Sequence, residues 1–179
     1  MAIGETIWTY FDERWHKGNV PILGSADHAT WLGTLVFDGA RCFDGVSPDL
    51  DRHCERVNRS ALALGLKPTL ELRRMLELCH EGLTRFAPDE AVYIRPMYWS
   101  VEGGPSAVLA DPDSTAFALC LESLPMPPAD ATMTLTTTRF CRPTLAQATV
   151  DAKAACLYPN NGRMLREAQH KGFFQCAGL

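Results

Sequence analysis

Apolar and polar positions alternate at the start of the chain and then switch to a helical period. Thr6 to Tyr10 is rich in β-branched and aromatic residues and predicts a strand. Asp12-Glu13 turns it into Arg14-Trp15-His16, and Lys17-Gly18-Asn19 ends the hairpin. After a short segment from Ala29 to Leu32, the run Thr34 to Phe43 puts Leu35, Val36, Phe37 and Cys42 in a buried strand interrupted at Gly39. Ser47-Pro48 then offers a hydroxyl cap with proline at the first helical position. Leu50, Cys54, Val57, Ala61 and Leu64 follow at helical spacing until Gly65, which suits a left-handed helix end. Thr69 is the expected cap of a second helix, with Glu71 in its first turn; Leu72, Met75, Leu76, Cys79 and Leu83 form its inner face, and Pro88 closes it. Alternation returns in Ala91 to Val101 and Thr115 to Glu122, separated by Gly103-Gly104-Pro105 and by Asp111-Pro112-Asp113, both read as turns.

Strands gathered around consecutive helices predict an α+β architecture with a largely antiparallel sheet. The proline cluster Pro125-Met126-Pro127-Pro128 stiffens the chain into an extended spacer, so a boundary is expected there. The expected organisation is a domain over 1–124, a linker over 125–130 and the beginning of a second domain over 131–179. Within the last part, Ala131 to Thr138 has β-forming alternation and Arg139 to Asp151 is irregular. Asn160 or Asn161 is expected to cap a helix that runs through Lys171 and stops at Gly172.

Composition narrows the class. With 46% apolar and 21% charged residues, the chain is far from the signature of disorder. The net charge of -4 and the scattered basic residues argue against nucleic acid or acidic lipid and favour a small-molecule partner. The start of the chain carries Glu5, Asp12 and Glu13 and lacks the basic-then-apolar pattern of a secretory signal, and no stretch has the length of a membrane span. Seven widely spaced cysteines, an odd number, argue against a disulfide framework, so a reducing cytoplasm is expected. No CxxC, HxxxH or HExxH run supports a metal site.

The candidate chemistry centres on Lys153. A lone lysine is ordinarily a solvated surface charge. Here Asp151-Ala-Lys-Ala-Ala-Cys-Leu-Tyr158 surrounds it with small and apolar residues, which would keep an amine partly dry and ready to act as a nucleophile toward a carbonyl. Further upstream, Tyr93, Arg95 and Met97 share one face of their strand if Pro96 permits regular geometry. An arginine among apolar neighbours needs a function or a carboxylate such as Glu102 or Asp38, because an unpaired buried charge is costly. Cys54 and His53, adjacent on a helix, face different ways, so the thiol reads as packing.

Four short pieces in order then form a pattern: Gly33-Thr-Leu-Val-Phe-Asp-Gly-Ala-Arg41, His53-Cys-Glu-Arg56 with Ser60-Ala61, Tyr93-Ile-Arg-Pro96, and Ala152-Lys-Ala-Ala-Cys-Leu-Tyr158. From Trp8 to about Phe173 the chain resembles the fold-type IV (class IV) pyridoxal-phosphate aminotransferases, and within them the branched-chain type. The resemblance implies a two-domain fold, with a complete N-terminal α/β sandwich and the beginning of a truncated C-terminal pseudo-barrel. It implies that Lys153 condenses with the aldehyde of pyridoxal 5'-phosphate and later moves the substrate proton. Arg56 would grip the cofactor phosphate, where an unrelated chain would have only an ordinary surface charge. Tyr158 would bond the cofactor's phenolic oxygen, the plainer alternative being a half-buried aromatic with a wet hydroxyl. Phe37, Arg41, Tyr93 and Arg95 would wall the substrate pocket or organise it for a carboxylate, in part across a homodimer interface. The implied reaction is transamination of leucine, isoleucine and valine with 2-oxoglutarate. D-amino acid or amine transamination, or a noncatalytic dimerising or binding role for a chain ending soon after the lysine helix, are the alternatives.

Overall fold

In the computed structural model, which describes residues 6–178, the alternating segments pair as strands. The opening hairpin consists of β1 (Ile7–Phe11) and β2 (Arg14–Lys17), and a short helix α1 (His28–Leu32) follows. The expected strand from Thr34 to Phe43 is divided into β3 (Leu35–Phe37) and β4 (Ala40–Cys42). Helices α2 (Leu50–Ala63) and α3 (Leu72–Leu83) lead into the long strands β5 (Val92–Ser100) and β6 (Thr115–Ser123). These strands form one antiparallel sheet in the order β2-β1-β6-β5-β3, with β4 also paired to β5.

The even-numbered side chains of β5 turn toward α2 and α3. Val36, Val57, Met75, Leu78, Ile94, Tyr98 and Leu121 are fully buried there and make the main core. Trp99, Ala29 and Ala118 form a smaller cluster on the opposite face of the sheet. Pro96 lies inside β5, where a missing N–H would normally break a ladder. Its carbonyl accepts from Asp38 N at 3.0 Å, so its donor-less nitrogen faces the same side, where Asp38 and Gly39 interrupt the partner strand. The proline and the interruption therefore match each other, and β5 stays regular enough to keep Tyr93, Arg95 and Met97 on one face, as alternation requires.

Several helix ends differ from expectation. Ser47 does not cap α2: Asp49, at φ 50°, precedes the helix and its carbonyl accepts from His53 N. The reciprocal bonds between Phe43 and Val46 set that turn and displace Pro48 from the first helical position. Thr69 does not cap α3 either; the preceding residue is Glu71, which lies outside the helix and makes no side-chain cap. The approach to α3 is instead pinned at Leu70, whose N–H meets Tyr98 Oη at 3.3 Å and whose carbonyl accepts from Asn58 at 3.2 Å. Burial pushes the Tyr98 phenol up to about 12. The helix stops at Leu83, short of Pro88, while Gly65 (φ 76°) closes α2 as expected.

Beyond the prolines the chain changes character. Strand β7 (Leu135–Thr138) pairs with β8 (Gln175–Gly178) in a parallel two-stranded sheet, which the pattern of residues did not announce. Between them lies helix α4 (Tyr158–His170). It begins at Tyr158 with Pro159 in its first turn, so Asn160 and Asn161 lie inside the helix and cap nothing. Gly172 (φ 79°) follows its end as expected. Thr138 Oγ1 donates to Glu167, which Lys171 also contacts; these bonds lower the Glu167 carboxyl to about 2 and tie β7 to α4.

Candidate active site

Lys153 enters the molecule as an extra strand residue. Phe37 N donates to its carbonyl at 3.1 Å, Ala154 bridges antiparallel to Val36, and Lys153 N donates to Ser60 Oγ at 3.0 Å. Small residues lie on either side: Ala152 and Ala154, 4% and 0% exposed, belong to the core that α2 covers. The lysine consequently points the other way. Its Nζ donates to Tyr158 Oη at 2.7 Å and lies 5.0 Å from the Phe37 ring centroid and 5.4 Å from that of Tyr158. The two rings are themselves 5.0 Å apart. An amine held between aromatic faces, with one hydroxyl partner, is localised without being locked in an ion pair.

Arg56, on α2, borders the same cavity of about 430 Å³ as Lys153 and Tyr158. It is not an ordinary surface pair. Nε and Nη2 donate to Asp38 at 2.6 and 2.7 Å, and Asp38 has no exposed side-chain surface. His53 Nδ1, at 2.8 Å, and Gly39 N, at 2.7 Å, complete the shell of that carboxylate. Burial opposes its ionisation, but the hydrogen bonds from Arg56, His53 and Gly39 outweigh burial and hold the carboxyl below its ordinary value. The same pair of bonds raises the Arg56 guanidinium above its ordinary value. On the neighbouring residue of α2, Cys54 is fully buried, so His53 and Cys54 do face apart.

Arg41, Tyr93 and Arg95 form a separate group on the sheet face opposite α2 and α3. The Arg95 guanidinium lies 4.9 Å and that of Arg41 5.8 Å from the Tyr93 ring centroid. Arg41 donates to the Leu124 carbonyl at 2.9 Å. Arg95 pairs with Glu122, its neighbour in the sheet, and not with Glu102 or Asp38 as residue type alone suggested. Asp38 is on the other side of the strand, committed to Arg56. Gly39 is required by this packing, since a Cβ there would lie 2.0 Å from Tyr93 Oη. Neither these three nor Phe37 lines the Lys153 cavity; the Phe37 ring lies 5.0 Å from the lysine amine, and the residue pairs with Met97, two positions along β5 from Arg95.

Two further cavity residues were given no role by the sequence, although Ser60 belongs to one of the four motifs. Arg142 comes from the irregular segment before the lysine, and Ser60 lies on the buried side of α2, where a hydroxyl reads as a break in an apolar stripe. Together the cavity is lined by residues bearing an amine and a phenol near one another, a hydroxyl, two guanidinium groups and the single carboxylate of Asp151, a mainly donor set suited to an aldehyde that also carries an anionic group. Among the described residues no group of three His, Cys, Asp or Glu side chains is placed to hold a metal ion, and no helix is long and apolar enough to cross a membrane.

Comparison with known proteins agrees with this chemistry. The family model described as amino-transferase class IV matches residues 35–179. A "probable branched-chain-amino-acid aminotransferase" of Rickettsia typhi is 29% identical over 148 residues, covering 82% of this chain and 50% of that protein. A crystal structure of an aminotransferase from Brucella abortus bound to the co-factor PLP is 57% identical with a TM-score of 0.95, covering 97% of this chain and 62% of that one. The branched-chain amino acid aminotransferase of Escherichia coli shares the fold, with a TM-score of 0.79 at 20% identity over 98% of this chain and 60% of that one. The chain spans about half the length of the curated relatives it matches.

Proposed function

The chain belongs to the class IV aminotransferase family, and from that premise we propose that it is the lysine-bearing part of a pyridoxal-phosphate-dependent enzyme that transaminates branched-chain L-amino acids with 2-oxoglutarate. The observation that carries this reading is the placement of Lys153 Nζ, 2.7 Å from Tyr158 Oη and against Phe37, in a cavity that Arg56 also borders. Pyridoxal phosphate, when bound, supplies an electron sink for the bond broken at the substrate Cα. The chain's own groups supply the rest.

Lys153 would hold the cofactor through its amine and, when that amine is free, would accept the substrate Cα proton and return it. Tyr158, which accepts from the Lys153 amine and keeps it in register, would donate to the phenolic oxygen of the cofactor. Arg56 would meet the phosphate with the guanidinium edge left over from Asp38, since the bonds to that carboxylate use only Nε and Nη2. Phe37 walls the substrate side of the lysine. Arg41, Tyr93 and Arg95 lie on the sheet face beyond it, where a substrate carboxylate would compete with Glu122 for Arg95. The branched-chain preference rests on Tyr93-Ile-Arg-Pro96 and on the similarity to probable branched-chain-amino-acid aminotransferases. The proposal includes two domains divided at 125–130, a homodimer and a cytoplasmic setting, with amino acids and 2-oxo acids as partners and neither nucleic acid nor membrane.

Borohydride reduction in the presence of pyridoxal phosphate, followed by peptide mass analysis, tests the premise. A single adduct on the peptide containing Lys153, absent in Lys153→Ala, is expected, with activity of the variant lower by roughly 10³-fold. An adduct on other lysines, or none, overturns the reading. A panel of L-leucine, L-valine, D-alanine and an aryl amine then separates branched-chain from D-amino acid or amine specificity.

A further inference from the structure

The notable feature of the Arg56 site is the carboxylate behind the arginine. Asp38 interrupts the sheet between β3 and β4, and its side chain turns away from Phe37 and the Lys153 amine toward α2. There it is completely enclosed and accepts from four donors: Arg56 Nε, Arg56 Nη2, His53 Nδ1 and Gly39 N. Burying a carboxylate is expensive, and a mere link between strand and helix needs no charge. The arginine it holds keeps 48% of its side-chain surface exposed and borders the lysine cavity. A flexible, solvent-facing arginine is thereby fixed by two parallel bonds on one edge, while its opposite edge is left for a second anion.

We propose that Asp38 is a positioning residue for the anionic group of the cofactor: it locks the Arg56 guanidinium in the orientation that receives a phosphate, with His53 completing the carboxylate's shell. This deepens the proposed function and rests on that reading. Two effects of the carboxylate oppose each other. Its charge partly offsets that of Arg56, which weakens attraction for an anion, and its geometry removes the freedom of the side chain before the anion arrives. The outer edge of Arg56 is open to solvent, so screening reduces the charge effect, whereas the bidentate geometry acts undiminished. Orientation therefore dominates, and the chain discriminates in favour of a phosphorylated ligand because Asp38 is ionised and paired.

The test compares pyridoxal phosphate with pyridoxal, which lacks the phosphate, by binding to the unsubstituted chain, Asp38→Asn and Asp38→Glu. In Asp38→Asn the ratio of the two affinities is expected to fall about tenfold, with inorganic phosphate losing potency as a competitor to the same degree. Affinity for pyridoxal itself stays unchanged, because Lys153 and Tyr158 are untouched, and Asp38→Glu recovers part of the ratio. An equal loss for both ligands would mean that Asp38 only holds the fold together. A rise in the ratio would mean that it only neutralises charge. Either result overturns the proposal. If Asp38→Asn does not fold, ¹⁵N-arginine spectra of the unsubstituted chain decide. A slowly exchanging Arg56 Nε–H, assigned by its absence in Arg56→Lys and present before any ligand is added, supports the lock; an exchange-averaged signal refutes it. Failure of Lys153 to take pyridoxal phosphate in the unsubstituted chain would instead remove the proposed function, so the two failures are distinct.

Discussion

The part of the chain before the prolines and the part after them are built on different terms. In the first, two amphipathic helices cover one face of a six-stranded sheet, and the side chains between them are fully buried. In the second, a two-stranded parallel sheet and one helix enclose little beyond Met164, Ala168 and Thr138, while Leu135, Leu145 and Phe174 are each more than 60% exposed. The first region carries its own hydrophobic driving force; the second obtains much of its order by docking Ala152 and Ala154 into the core of the first. The lysine lies at that joint. Its backbone is held by β3 and Ser60, and its amine by an aromatic residue from each side, Phe37 and Tyr158. A ligand that spans the joint therefore strengthens the weaker region most.

The contrast can be broken most forcefully in the core. Ile94→Ala, at a fully buried position, should cost about 4 kcal/mol and lower the main thermal transition by several degrees in calorimetry. Pyridoxal phosphate at a hundredfold excess over its dissociation constant should add about 2.7 kcal/mol. Limited proteolysis should show the protection concentrated between Arg139 and Asp151, and uniform protection would argue against the joint. Gly39→Ala, which brings a Cβ against Tyr93 Oη, should cost about 2 kcal/mol, with partial recovery in a Tyr93→Phe background; an unchanged melting temperature would mean that the sheet gives way freely.

Acid sharpens the comparison further. The Asp38 carboxyl is held below its ordinary value of 3.8, so the stability it contributes is present above that pH and is lost as the pH falls through the lower folded value. Melting temperature against pH should lose this part of its acid limb in Asp38→Asn, provided that variant folds, and retain it in Leu135→Ala. The smallest effect belongs to Leu135→Ala itself, at a position 61% exposed: within about 0.5 kcal/mol, measured by denaturant unfolding. A large loss there would show that β7 is better packed than its exposure indicates.

Much of this molecule is written in local pattern. Alternation located β1, β2, β5 and β6, the helical period located α2 and α3, and glycines marked the ends of α2 and α4, because burial of one face imposes those periods whatever the surroundings. Lys153, Arg56 and Tyr158 stood out through the small residues around the lysine and the order of four short motifs, and all three border one cavity. The helix starts were less legible: Ser47, Thr69, Asn160 and Asn161 all have capping chemistry, yet turns and distant partners such as Tyr98 set the boundaries. Strand β8 was invisible for a related reason, since a parallel pairing to Leu135–Thr138 depends on where α4 returns the chain.

The choice of ionic partners belonged wholly to the tertiary structure. Sequence supplied the guanidiniums and carboxylates but could not say that Arg95 takes Glu122 while Asp38 turns to Arg56, because adjacent strand residues face opposite sides of the sheet and their partners come from segments distant in the chain. Charges pair through space, at distances of a few ångströms, and only the folded backbone decides which of them are brought that close.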